Sequence, residues 1–195
     1  MSGQPSYTLS EVAVRLDVAQ HRLIHLCEKA VVAPDLQDAS GRGSSRIFSA
    51  LNLLEFAVAL RLREMMLPVA IVRPIVHVLH AFDGRLKREL RGFSLPESLR
   101  DNAAPDLRII LSDGRLIYFS LGRSGRDTKL FGGIPLGQVT SDEPAWDGKV
   151  EAARTHAEAH QRDDDGTGGF GESEGSRFTR LELSVTEVAR DLQLD

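Results

Sequence analysis

Cysteine is nearly absent from this chain, with Cys27 the only one among 195 residues. A single thiol excludes an internal disulfide framework and any zinc site built from several thiolates, and it suits a reducing compartment. Long apolar runs are also lacking. Stretches such as Val69 to Val72 fall far short of the roughly 20 apolar residues that a membrane helix needs, so no membrane partner is expected. The opening residues show no basic-then-apolar leader, and no export signal is expected either. Gly-x-Gly-x-x-Gly, the P-loop, His-Glu-x-x-His and Gly-x-Ser-x-Gly do not occur, so catalysis and a bound cofactor are not expected.

Aromatic residues are sparse at 6%, yet an apolar share of 42% suffices for a core. Charge is unevenly placed. Residues 1–140 hold 18 Lys and Arg against 14 Asp and Glu, whereas residues 141–195 hold 6 against 14. A mildly basic body followed by an acidic end is compatible with nucleic-acid binding, which the net charge of −4 conceals.

Thr8-Leu9-Ser10-Glu11 is a capping box, and Leu9, Val12, Ala13 and Leu16 then recur on one helical face. Asp17-Val18 interrupts the pattern. A second helix is expected over about 19–30, with Leu23, Ile24, Leu26 and Cys27 inward and His21, Arg22, His25, Glu28 and Lys29 outward. Two short helices across so tight a turn suggest a helix-turn-helix. Gly41-Arg42-Gly43-Ser44-Ser45-Arg46-Ile47-Phe48-Ser49 reads as a β-wing, a flexible basic turn running into a strand, with Ser49 placed to cap the next helix. That helix spans about 50–65, with Leu51, Leu54, Val58, Leu62 and Met65 inward. Another is expected over about 68–82, where Pro74 should kink it or mark its start.

Residues 83–106 form a polar connector. Leu107–Leu111 and Leu116–Leu121 flank Asp113-Gly114, a strong hairpin signal. Leu130-Phe131 and Ile134-Leu136 offer one further strand. Residues 141–176, with Asp163-Asp164-Asp165 and repeated glycine, read as a disordered acidic linker. Leu181, Leu183 and Val185 alternate as in a strand that folds back on the hairpin, and Thr186 is placed to cap a last short helix. The expected class is α+β. The expected units are 6–82 (winged helix-turn-helix), 107–140 (β-hairpin module) and 177–195 (a terminal strand and helix packed on that module).

Tyr7-Thr8-Leu9-Ser10-Glu11-Val12-Ala13, Ser45-Arg46-Ile47-Phe48-Ser49 and Leu60-Arg61-Leu62-Arg63-Glu64-Met65-Met66-Leu67-Pro68 occur in the order of three motifs of one family. Over residues 6–80 the chain resembles the MerR family of bacterial winged helix-turn-helix transcription regulators. The resemblance implies sequence-specific binding of double-stranded DNA in the cytoplasm, at the nucleoid. It places Gln20, His21 and His25 near base edges and Arg22, Arg42, Ser44, Ser45 and Arg46 on the backbone. The family's Thr-Leu-Arg-Tyr-Tyr-Glu is Arg22-Leu23-Ile24-His25-Leu26-Cys27 here, which keeps only the leucine. A homodimer through the β module and a regulatory protein are the further partners expected.

Two bland readings stand beside this one. His21 and His25 have metal-ligand spacing with Cys27 nearby, but an exposed pair facing a groove is the simpler account, and no metal is expected. His77 and His80, on an apolar helix, read as residues at a core edge or interface, and His156 and His160 lie in the acidic linker. The rival in function is a protein-interaction adaptor that keeps the helix-turn-helix scaffold without binding DNA.

Overall fold

The computed structural model describes residues 5–37, 45–90, 92–123, 126–139 and 179–192. Among them are six α-helices and two antiparallel sheets, an α+β arrangement. The first sheet is small. β1 (Ser6–Thr8) pairs with β2 (Ile47–Ser49), placing Tyr7 opposite Phe48, and Gln37 bridges to Ile47. Between these strands come α1 (Leu9–Arg15) and α2 (Gln20–Glu28). The capping box at Thr8 forms, with Glu11 returning to the Thr8 amide at 2.6 Å.

α3 (Ala50–Glu64) starts at a second capping box, in which Ser49 and Asn52 satisfy each other's amides. The sequence suggests a one-sided amphipathic helix. Instead α3 is covered on all sides as far as Leu60, with Leu51, Leu53, Leu54, Phe56, Val58, Ala59, Leu60 and Leu62 in the core and Arg61, Arg63 and Glu64 of the last turn exposed. The reason is its place in the fold, since α2, β2, the helices at Val69–Glu89 and Leu95–Arg100 and the C-terminal helix at Val185–Asp191 all pack against it. Met65, expected inside, is exposed beyond the helix end, where Met66 takes a φ of 65° and ends the turn.

α4 (Val69–Glu89) is longer than the 68–82 expected, running through Gly84 into the segment taken as a connector. Pro74 neither starts nor ends it. The proline removes the amide that would bond to the Ala70 carbonyl, and Ala70 is exposed, so water can take its place. α5 (Leu95–Arg100) follows, with Pro96 in its first turn. Asp83 of α4 accepts from the Leu95 amide at 3.2 Å and from Lys87 at 2.8 Å, which fixes the turn between the two helices.

The second sheet has the order β5–β4–β3–β6 and comprises β3 (Asp106–Ser112), β4 (Leu116–Arg123), β5 (Arg126–Pro135) and β6 (Arg180–Ser184). Asp113 and Gly114, both at positive φ, make the turn between β3 and β4. Gly132, at φ 113°, faces β4 where an added Cβ would lie 2.7 Å from the Ile117 carbonyl oxygen, so only glycine fits this irregularity in the β4–β5 ladder. Leu107, Ile109, Leu111, Ile117, Phe119 and Leu183 line the inner face. Phe82 of α4 stacks on Phe119 with centroids 5.7 Å apart.

β6 pairs with β3, Leu183 opposite Ile109, and leads into α6 (Val185–Asp191). The cap is Ser184 and not Thr186, whose hydroxyl is buried. It accepts from the Leu107 amide at 2.8 Å and donates to the Pro105 carbonyl. One continuous apolar cluster runs from Val12 and Leu23 through α3 and α4 to the sheet and α6. Residues 141–176, expected to be a disordered linker, lie outside the described residues. Among the described residues no helix is long and apolar enough to cross a membrane.

Candidate nucleic-acid interface

α1 and α2 are joined by Leu16–Ala19, a tight turn in which Asp17 takes a φ of 50°. The Leu16 and Val18 amides bond back to Val12 and Ala13, closing the first helix. α2 is held by Leu23 and Leu26, both buried, while Val31 and Val32 just beyond it are also in the core. Its solvent side carries Gln20, His21, Arg22 and His25, all exposed; His21 and His25 lie one turn apart on one face, with Gln20 and Arg22 flanking it. Gln20 also touches α1, where its Oε1 lies 3.4 Å from the Ser10 hydroxyl. The cap position of α2 is Ala19, which supplies no side-chain acceptor, and the Arg22 amide returns to the Ala19 carbonyl at 3.0 Å.

One residue departs from the helical wheel. Ile24, expected inside, is 39% exposed; Val14, which lies off the expected buried face of α1, is 80% exposed. Glu28 shares the outer surface of α2, so that surface is not uniformly cationic. Cys27 is half-buried.

The wing is described at its root. Ser45 is exposed and Arg46 half-buried on the approach to β2, while Ile47 exchanges both backbone hydrogen bonds with Gln37. Arg42 and Ser44 lie outside the described residues. Tyr7, the first residue of the N-terminal motif, is buried under the Arg15 guanidinium, 4.8 Å from its ring centroid. Among the described residues its hydroxyl has no hydrogen-bond partner.

Beneath the wing root lies a polar network that sequence reading did not find. Asn52 is fully buried. Its Oδ1 accepts from the amides of Asp35 at 2.9 Å and Ser49 at 3.2 Å. Its Nδ2 donates to the Ala33 carbonyl, to Asp35 and to Glu55, at 3.0, 3.1 and 2.9 Å. The Ser49 hydroxyl donates to Asp35 at 2.7 Å. Glu55 is 2% exposed and meets His80 Nδ1 at 2.7 Å, with Asp35 3.9 Å from the same nitrogen. Burial pushes the Glu55 carboxyl up against the pull of its hydrogen bond to His80. That bond, helped by the nearby carboxylates, raises His80 from 6.5 to about 9, so the ring is cationic at neutral pH. The available signal was two polar residues, Asn52 and Glu55, one turn apart inside the otherwise apolar stretch 50–60.

Among the described residues no group of three or more His, Cys, Asp or Glu side chains is placed to hold a metal ion. Comparison with protein-family models and with curated proteins finds no match for this chain.

Proposed function

We propose that the chain is a MerR-like winged helix-turn-helix protein that binds double-stranded DNA in a sequence-specific way and regulates transcription. The observation that carries this reading is the outer face of α2. Gln20, His21, Arg22 and His25 are all exposed there, at a helix N-terminus with no side-chain cap. In this reading α2 enters the major groove with Gln20, His21 and His25 toward base edges. Arg22 meets phosphate, and Ser45 and Arg46 bring the wing to the neighbouring backbone. The ordered C-terminal sheet is the surface for a second copy or for a regulatory protein, and the nucleoid is the place of action.

A specific observation favours one other reading. Val14 and Ile24 expose apolar surface on the same helix pair, as an adaptor that binds another protein through this scaffold would. Selection from a random duplex pool, followed by sequencing of what the full chain retains, separates the two. Enrichment of a defined motif that is lost in Gln20→Ala or His21→Ala supports DNA reading. A pool that stays random, with the variants indistinguishable, supports the adaptor.

A further inference from the structure

His77 and His80 lie one turn apart on α4; His77 bonds to the end of α2, and His80 bonds to Glu55 of α3, which leads on to the wing root. His77 Nε2 meets the carbonyl of Ala30 at 2.8 Å. Ala30, at a φ of 50°, is the residue that ends α2, and its amide returns to Cys27. His80 reaches the wing root through the chain Glu55, Asn52, Asp35 and Ser49 described above. Two residues further along α4, Phe82 is stacked on the second sheet. The same stretch of helix therefore holds the end of α2, the root of the wing and the sheet.

We propose that His77 and His80 are positioning residues, which fix the end of α2 and the wing root relative to one another from a single turn of α4. This rests on the DNA-binding reading for its functional consequence, but not for its geometry. Neither ring is placed on the outer face of α2, so their effect on DNA is through the placement of the elements that touch it. The groups facing His80 are Glu55 from α3, Asp35 from the segment before the wing and Asp83 from α4 itself, all carboxylates. Neutralising the ring removes the cation that these carboxylates surround. The tie between α4 and the network from Glu55 to Ser49 then falls from a charge-assisted hydrogen bond to one donated by a neutral ring.

The test uses the full chain and two readouts. Amide resonances of Asp35, Ser49 and Asn52 should move together as pH rises from 7 to 10, with a midpoint near 9. They should lose that step in His80→Gln, and in Glu55→Gln the midpoint should fall toward the ordinary histidine value. Duplex binding should weaken by roughly 5- to 30-fold in His77→Ala and in His80→Gln, the equivalent of one to two kcal/mol, with the preferred sequence unchanged. Thermal unfolding of each variant checks that the fold persists. Asp35 and Ser49 resonances that ignore the His80 titration overturn the proposal, as does wild-type affinity in both variants. If the wild-type chain binds no duplex, the DNA reading fails. The amide titration then still decides whether His80 positions the wing root, and the shift of the Ala30 and Val31 amides in His77→Ala decides whether His77 positions the end of α2.

Discussion

Replacing Asn52 with alanine is the sharpest test of how the wing root is held. The side chain is 0% exposed and takes part in five hydrogen bonds, two accepted from backbone amides and three donated from one nitrogen. Alanine leaves the Asp35 and Ser49 amides and the Ala33 carbonyl without this partner and strips one donor from Glu55. A buried polar group left unpaired costs about 1–3 kcal/mol. Asp35 and Ala33 are exposed and Ser49 half-buried, so water repairs part of the loss there. Glu55 is not within its reach. The expected net cost is about 2–4 kcal/mol, taking one full penalty at Glu55 and fractions of the others. For a chain of this size that amounts to a fall of roughly 4–16 °C in Tm, at about 2–4 °C per kcal/mol. Urea unfolding followed by circular dichroism measures the cost directly, and the midpoint should fall with little change in slope. Asn52→Asp should fare no better, because it places a further carboxylate between Glu55 and Asp35. A loss below about 0.5 kcal/mol for Asn52→Ala, the range of ordinary surface changes, would refute the network as a structural element.

Thr186→Val keeps the shape of the side chain but leaves the buried Leu107 amide unpaired, so it should cost about 1–3 kcal/mol in the same assay and loosen the β3–β6 pairing in hydrogen exchange. Gly84→Ala should instead stabilise the protein by roughly 0.5–1 kcal/mol, because an added Cβ there meets nothing within 4 Å and Gly84 lies inside α4. The pH dependence follows from His80. Its folded value of about 9 lies above the ordinary 6.5, so its contribution is complete below pH 6.5 and is lost as pH rises through 9. The ring is 52% exposed, and screening by solvent brings the unscreened figure of about 3 kcal/mol down to about 1 kcal/mol or less. The stability difference between wild type and His80→Gln, measured by urea at pH 6.5 and pH 10, should shrink by that amount.

What was legible in the sequence was local. The capping box at Thr8, the cap at Ser49 and the turn at Asp113-Gly114 involve residues within three positions of each other, and all three form. The outward set on α2 followed from helical periodicity alone, apart from Ile24. What was not legible depended on distant partners. α3 looked one-sided because its apolar stripe is visible in sequence, whereas the elements that cover its other sides come from all along the chain. Asn52 and Asp35 are 17 positions apart, and Glu55 and His80 are 25 apart, so no spacing rule joins them. Thr186 looked like a cap because it precedes a helical pattern. It turned inward because the Leu107 amide needs an acceptor where β3 begins. Pro74, expected to kink its helix or mark its start, does not mark the start; it lies inside α4, where the carbonyl it leaves unpaired belongs to an exposed residue.

The central claim is that the outer face of α2 and the wing root engage duplex DNA. It is tested most directly by titrating a labelled random-sequence duplex with the full chain at stepped salt concentrations and following fluorescence anisotropy. Binding should weaken linearly on a plot of log affinity against log salt, with a slope of about 0.9 for each phosphate neutralised. In Arg22→Ala the slope should be smaller by about one. No retained duplex at the lowest salt, or binding whose salt slope is unchanged in Arg22→Ala, would contradict that claim.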